Sequence, residues 1–150
     1  MRSADAIFVP VNTGESKNIL GMLHVTKVSP QDDHAPFLAV ELTIPARLGP
    51  PLHRHAADSE FFYVLEGQIT FSTPAGEIVG KAGDFCYLPA GGRHAFRNDG
   101  DAPARALVVV APGVAAHDFF DEVAEATTKG VDPAGLTQIG ERHGVQFEPP

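Results

Sequence analysis

Residues 49–67 read GPPLHRHAADSEFFYVLEG, and the reading of this stretch decides the fold. His53 and His55 stand two apart, the spacing that puts both side chains on one face of an extended strand. Glu60 follows after Ala56-Ala57-Asp58-Ser59, a segment long enough to turn and enter a neighbouring strand with its carboxylate returning toward the imidazoles. Two imidazoles and a carboxylate around open positions are a recognised way to hold a first-row metal ion. Phe61 and Phe62 flank Glu60, so its carboxylate loses hydration, and coordination of a cation would offset that loss. Asp58 and Glu66 carry no such argument and are expected to be solvated.

A second stretch, residues 83–98, reads GDFCYLPAGGRHAFRN. It places His94 after a proline and glycine turn, on a strand that points Phe96 and Asn98 to the same side. His94 completes a set of four ligands with His53, His55 and Glu60. Three neutral imidazoles and one carboxylate leave one or two positions free on an octahedral divalent ion. Iron, manganese, nickel, cobalt, copper and zinc all accept such ligation. Phe62, Val64 and Phe96 lie at even spacing from Glu60 and His94, which turns them inward as core or as the apolar wall of a substrate pocket. His24, His34, His117 and His143 are set outside the site unless the fold brings one to the barrel mouth. Cys86 is read as a buried, unreactive thiol.

Outward from these stretches, the chain carries 15 glycines and 13 prolines spread between short apolar runs, the texture of a many-turned β-protein. Strands are expected around 17–25, 37–44, 60–66, 68–73, 84–88, 93–97 and 104–111. A hairpin is expected across Gly67, with the next turn at Thr73-Pro74-Ala75-Gly76. Beyond Gly113 the period changes. Phe119, Phe120, Val123 and Ala124 recur at helical spacing, and Asp132-Pro133 is a helix-entry signal. Two short helices are therefore expected within about 115–145, packed on one barrel face rather than acting as a lid.

With these positions in view, the chain resembles the cupin superfamily. The first cupin signature reads here His53-Arg54-His55, four residues, Glu60, six residues, Gly67. The second reads Gly83, five residues, Pro89-Ala90-Gly91, two residues, His94, three residues, Asn98, with every position filled. The family usually has a glycine six residues before the first histidine. Arg47 stands there, and Gly49-Pro50-Pro51 is taken to supply the turn. PPLHRH and EFFYVLEG, with the C-terminal HGVQFEPP, are similar to the small single-domain, quercetin-dioxygenase-like group.

The resemblance implies an all-β fold, a small jelly-roll β-barrel with two short C-terminal helices, in one domain over 1–150 with its motif core at 37–111. It implies one divalent transition metal ion held by His53, His55, Glu60 and His94, and a dioxygenase acting on a small aromatic, enol or diketone substrate, with Glu60 doubling as proton acceptor. A metal-dependent isomerase or decarboxylase that uses no oxygen, and a non-catalytic binding barrel, remain the alternatives.

Charge and composition narrow the partners. Nineteen acidic against eleven basic side chains give a formal charge of -8, a field that repels phosphate backbones and anionic lipid. Nucleic acid and membrane are excluded as partners on this reading, and a small-molecule substrate is retained. A lone cysteine and the lack of a signal-like apolar stretch make the cytoplasm the expected location. Exposed apolar strands such as Ala106 to Val110 would favour a homodimer.

Overall fold

Inward apolar residues alternating with outward polar ones, cut by glycine and proline turns, make strands of much of the chain. The computed structural model describes residues 5–148, so the first four and last two residues of the 1–150 span lie outside the described residues. In chain order the strands are β1 (Glu15–Ile19), β2 (Met22–Val28), β3 (Leu38–Ile44), β4 (His53–His55), β5 (Ser59–Glu66) and β6 (Gln68–Thr73). There follow β7 (Gly76–Lys81), β8 (Phe85–Leu88), β9 (Ala95–Arg97), β10 (Ala104–Ala111) and β11 (Val145–Phe147). A short helix, α1 (Pro30–Asp33), comes after β2, and α2 (Val114–Lys129) and α3 (Pro133–Arg142) separate β10 from β11.

Six strands form one sheet in the order β1-β2-β3-β10-β5-β8, three form the sheet β7-β6-β9, and β4 pairs with β11. Reciprocal backbone hydrogen bonds of 2.9 and 2.8 Å between His53 and His94 join β4 to the residue ahead of β9, so the two small sheets run on from one another. Inward residues of both layers share one core: Leu42, Ile44, Phe62 and Val64 from the large sheet meet Ile69, Phe71 and Phe96 from the small one. This is a jelly roll with two C-terminal helices. The helices close a second cluster, in which Phe119, Val123, Leu136 and Ile139 pack on Ile19 of β1 and Val145 of β11.

Several sequence expectations change in the fold. The run 17–25 is two strands, because Leu20 and Gly21 both take positive φ (54° and 87°), the geometry of a tight reversal between β1 and β2. No hairpin forms across Gly67. The strands on either side enter different sheets, since a one-residue link is shorter than the two-residue loop a tight hairpin needs. Gly67, at φ 72°, turns the chain from one layer to the other, where an added Cβ would press on Pro103 and Ala104 at 3.1 Å. The expected turn at 73–76 does form, with Thr73 paired to Gly76. Arg47 itself adopts the left-handed conformation, φ 64°, so the position that is glycine in the resembled family still turns there. Gly49 serves another need: a Cβ there would lie 2.2 Å from the Phe96 carbonyl oxygen.

Strand β10 does not offer the exposed apolar surface expected of it. It lies inside the large sheet between β3 and β5, with Ala106, Val108 and Val110 buried and only Leu107 of that run turned well out to solvent. No helix among the described residues is long and apolar enough to cross a membrane.

Candidate metal centre

Strand parity aims the ligands. His53 and His55 are the inward residues of β4, with Arg54 between them turned outward to hydrogen-bond Gln146 of β11. β11 pairs with β4 in the register Val145 to His55 and Phe147 to His53, so the C-terminal strand holds the backbone that carries both imidazoles. Glu60 opens the inward row of β5, opposite Val110 on one side and Leu88 on the other. His94 arrives through its backbone pairing with His53, and Asn98 secures the loop beyond it by donating to the Ile44 and Ala102 carbonyls at 3.0 and 2.8 Å.

All four side chains are buried, and one ligand atom from each lies within 4.8 Å of every other. Around one ion with bonds of about 2.1 Å, ligand atoms can stand at most about 4.2 Å apart, so a small inward shift of the side chains completes a coordination shell. Three further features fit a cation. The His53 Nδ1 sits 2.7 Å from the Pro51 carbonyl oxygen; donating there leaves the Nε2 lone pair free. The His94 Nε2 is buried without a hydrogen-bond partner among the described residues and lies 4.0 Å from Glu60. His55 Nε2 donates to Glu60 Oε1 at 2.8 Å, while its Nδ1 has no partner among the described residues. Buried polar atoms are nearly always satisfied, so the unpartnered His94 Nε2 beside the Glu60 carboxylate marks a place for a cation.

The electrostatics agree. Burial pushes the pKa of His53 down to about 4, with the neighbouring His55 and His94 adding to it. Burial likewise lowers that of His94. Burial alone would raise Glu60, but the imidazoles around it and the hydrogen bond from His55 win and hold the carboxyl at about 2. Burial works against a charge on His55 too, and there the Glu60 carboxylate overcomes it and raises the pKa. Neutral His53 and His94 beside an ionised Glu60 are the protonation states that metal binding needs, whereas His55, whose pKa is raised, gives up its proton when a cation binds.

A cavity opens on this cluster. His53, His55 and Glu60 form its polar end; Phe62, Phe96, Phe119, Phe120 and Phe147 supply much of its wall. Phe62 and Phe96 thus face the cavity as their spacing predicts, whereas Val64 does not. One step further along β5, Val64 is fully buried in the core and borders a separate recess beside Phe71 and Cys86. Phe147 lies 5.7 Å from the His53 ring and Phe119 sits edge-on to His55 at 6.4 Å, so α2 and β11 form part of the cavity wall besides packing on the sheet. Cys86 is partly buried, and burial pushes its thiol pKa up, which keeps it protonated.

Two side chains are placed otherwise than the sequence suggests. Asp58 is not solvated: it is 2% exposed, and its carboxylate accepts from the Gly113 and Ala116 amides at 2.7 and 2.9 Å, capping α2 from another part of the chain. Nothing local announces this, because both donors lie more than fifty residues away. His24 of β2 is brought into the cavity wall. Its inward parity with Met22 is the one sequence signal that points there. His34 instead ends α1, His117 contacts Asp118, and His143 contacts Glu122.

A jelly roll in which three histidines from the small sheets meet a glutamate from the large one is the architecture of a cupin. Residues 40–110, which include all four candidate ligands, match the cupin domain family. It is 26% identical over 99 residues to the oxalate-binding protein of Thermotoga maritima, covering 66% of this chain and 81% of that one. It is 39% identical over 62 residues to quercetin 2,3-dioxygenase of Bacillus subtilis, which covers 41% of this chain but only 18% of the larger protein. Among solved structures, a cupin 2 conserved barrel domain protein from Salinispora arenicola superposes with a TM-score of 0.59 at 17% identity, over 93% of this chain and all of that one. At that identity the likeness is one of fold alone.

Proposed function

We propose that this cupin is a metal-dependent dioxygenase acting on a small, flat, largely apolar molecule that carries an enol, phenol or diketone oxygen. The observation that carries the reading is the aromatic cavity opening directly on His53, His55 and Glu60. A divalent transition metal held by these residues and His94 would supply Lewis acidity and, for a redox-active ion, one-electron chemistry with dioxygen.

The rest falls to the protein. Phe62, Phe96 and Phe147 sandwich an apolar ligand and exclude water from the polar end. Glu60 is the one carboxylate among the residues lining the cavity, which makes it the group placed to accept a proton from a bound enol or phenol. Among the described residues no lysine or arginine lines the cavity, which disfavours a small dianion such as oxalate despite the similarity to an oxalate-binding protein.

The test is oxygen uptake by protein reconstituted separately with iron, manganese, nickel and copper, over a panel of enols, phenols and 1,3-diketones. Uptake coupled to substrate loss, absent in His94→Ala, is expected. Flat traces throughout would refute the dioxygenase reading, and substrate turnover that persists under strict anaerobiosis would replace it with isomerase or decarboxylase chemistry.

A further inference from the structure

His24 is the buried polar group that the metal centre leaves unused. It is 5% exposed, its ring packs edge-on against Phe120 at a centroid distance of 5.0 Å, and it lines the same cavity as Glu60, His53 and His55. Neither ring nitrogen has a hydrogen-bond partner among the described residues. Nor does it belong to the group of four whose ligand atoms converge. Burial pushes its pKa down to about 4, against a smaller opposing pull from Glu60, so the ring is neutral at physiological pH. A neutral imidazole presents one N–H donor and one acceptor nitrogen. Leucine or phenylalanine would fill such a place in an apolar wall without leaving two polar atoms unsatisfied.

We propose that His24 is a second substrate anchor, hydrogen-bonding a hydroxyl or carbonyl that the ligand carries away from its metal-binding oxygen. The inference rests on the proposed function and narrows it: the substrate is bifunctional, with one oxygen for the His/Glu cluster, a flat apolar body, and a second polar group that meets His24. His24 is then a specificity-determining residue on the wall of the cavity, held in place by Phe120.

The test uses zinc-loaded protein, so that no oxygen chemistry intervenes, and titration calorimetry with phenol, catechol, resorcinol and hydroquinone. In the wild type, at least one diol is expected to bind about fivefold or more tighter than phenol, the worth of one good hydrogen bond. In His24→Leu that preference disappears while phenol affinity and zinc content stay the same. A diol preference equal in both proteins, or none in the wild type, overturns the proposal. Failure of the metal reading shows separately, as zinc absent from both proteins. A ligand-free measurement completes the test. Metal-free His24→Leu is expected to melt at or above the wild-type temperature, because an unsatisfied imidazole is replaced by an apolar side chain of similar size. A lower melting temperature would mark His24 as a structural core residue and overturn the proposal.

Discussion

Replacing Asp58 by alanine should destabilise the protein by about 3 kcal/mol, although Asp58 does not line the cavity and is not one of the four candidate ligands. Its two carboxylate oxygens accept the Gly113 and Ala116 amides at 2.7 and 2.9 Å. These are donors at the start of α2 that the helix itself cannot satisfy. Gly113, the residue at the cap position, has no side chain to do so. A cap removed from an exposed helix costs about 0.5–2 kcal/mol, and a hydrogen bond to a charged group contributes about 1.5–3 kcal/mol. Two such bonds in a buried site, lost together with the interaction between carboxylate and helix dipole, put the sum near the upper end of the first range and above it. In a domain of this size about 3 kcal/mol lowers Tm by roughly 6–12 °C. Scanning calorimetry of the metal-free protein measures this directly, with Glu66→Ala as control. Glu66 is an exposed carboxylate bonded to Arg105 at 3.2 Å, and its loss should cost under about 1 kcal/mol. Metal stoichiometry should be unchanged in both variants, because the His53–His94 backbone bonds hold the ligand strands independently of α2. A Tm for Asp58→Ala within 2 °C of wild type, on the scale of about 2–4 °C per kcal/mol, would refute the reasoning.

Arg47→Gly should stabilise the protein by about 1 kcal/mol, since a left-handed φ costs a side-chain-bearing residue about 1–2 kcal/mol and the exposed ion pair lost with Asp101 contributes little; urea unfolding reads the change. Divalent metal at 100 times its Kd should raise stability by about 2.7 kcal/mol, with His94→Ala abolishing the gain, as followed by thermal denaturation with and without chelator. The metal-free protein should lose stability as pH falls. His24 and His53 are held at about 4, so between about 6.5 and 4 the unfolded chain binds protons that the native one refuses. Glu60, held at about 2, adds a loss below about 4.5, while His55, whose pKa is raised, acts in reverse and loses its contribution as pH rises above about 6.5. His24 alone accounts for about 3 kcal/mol, so His24→Leu should flatten the urea-midpoint difference between pH 7 and pH 4.5, and an unaltered slope would contradict a neutral buried ring.

Strand parity and spacing make His53, His55, Glu60 and His94 legible from the sequence, because an inward face every second residue is a local property of extended chain. The same rule identifies Phe62 and Phe96 as inward, while runs of β-branched and aromatic residues bounded by turn residues locate β3, β5, β6 and β10 to within a residue or two. The helices were legible for the same reason, as a change of period from two to 3.6.

What parity cannot say is how far along the inward face a cavity extends, and so it placed Val64 with Phe62 when only Phe62 reaches the open space. Nor can it say which sheet a strand joins. The link at Gly67 reads locally as a hairpin, yet β5 finds its partners in β8 and β10, and β6 in β7 and β9.

Local order along the chain thus makes the candidate ligand set, the inward faces and the helical tail readable before any fold is known. Only the folded chain shows that the tail's last strand aligns the strand carrying His53 and His55, that Asp58 caps a helix far along the chain, and that His24 borders the cavity. Each of these depends on groups distant in sequence finding one another in a water-poor interior, where satisfying hydrogen bonds and filling space govern the outcome, and no short window of residues contains both partners.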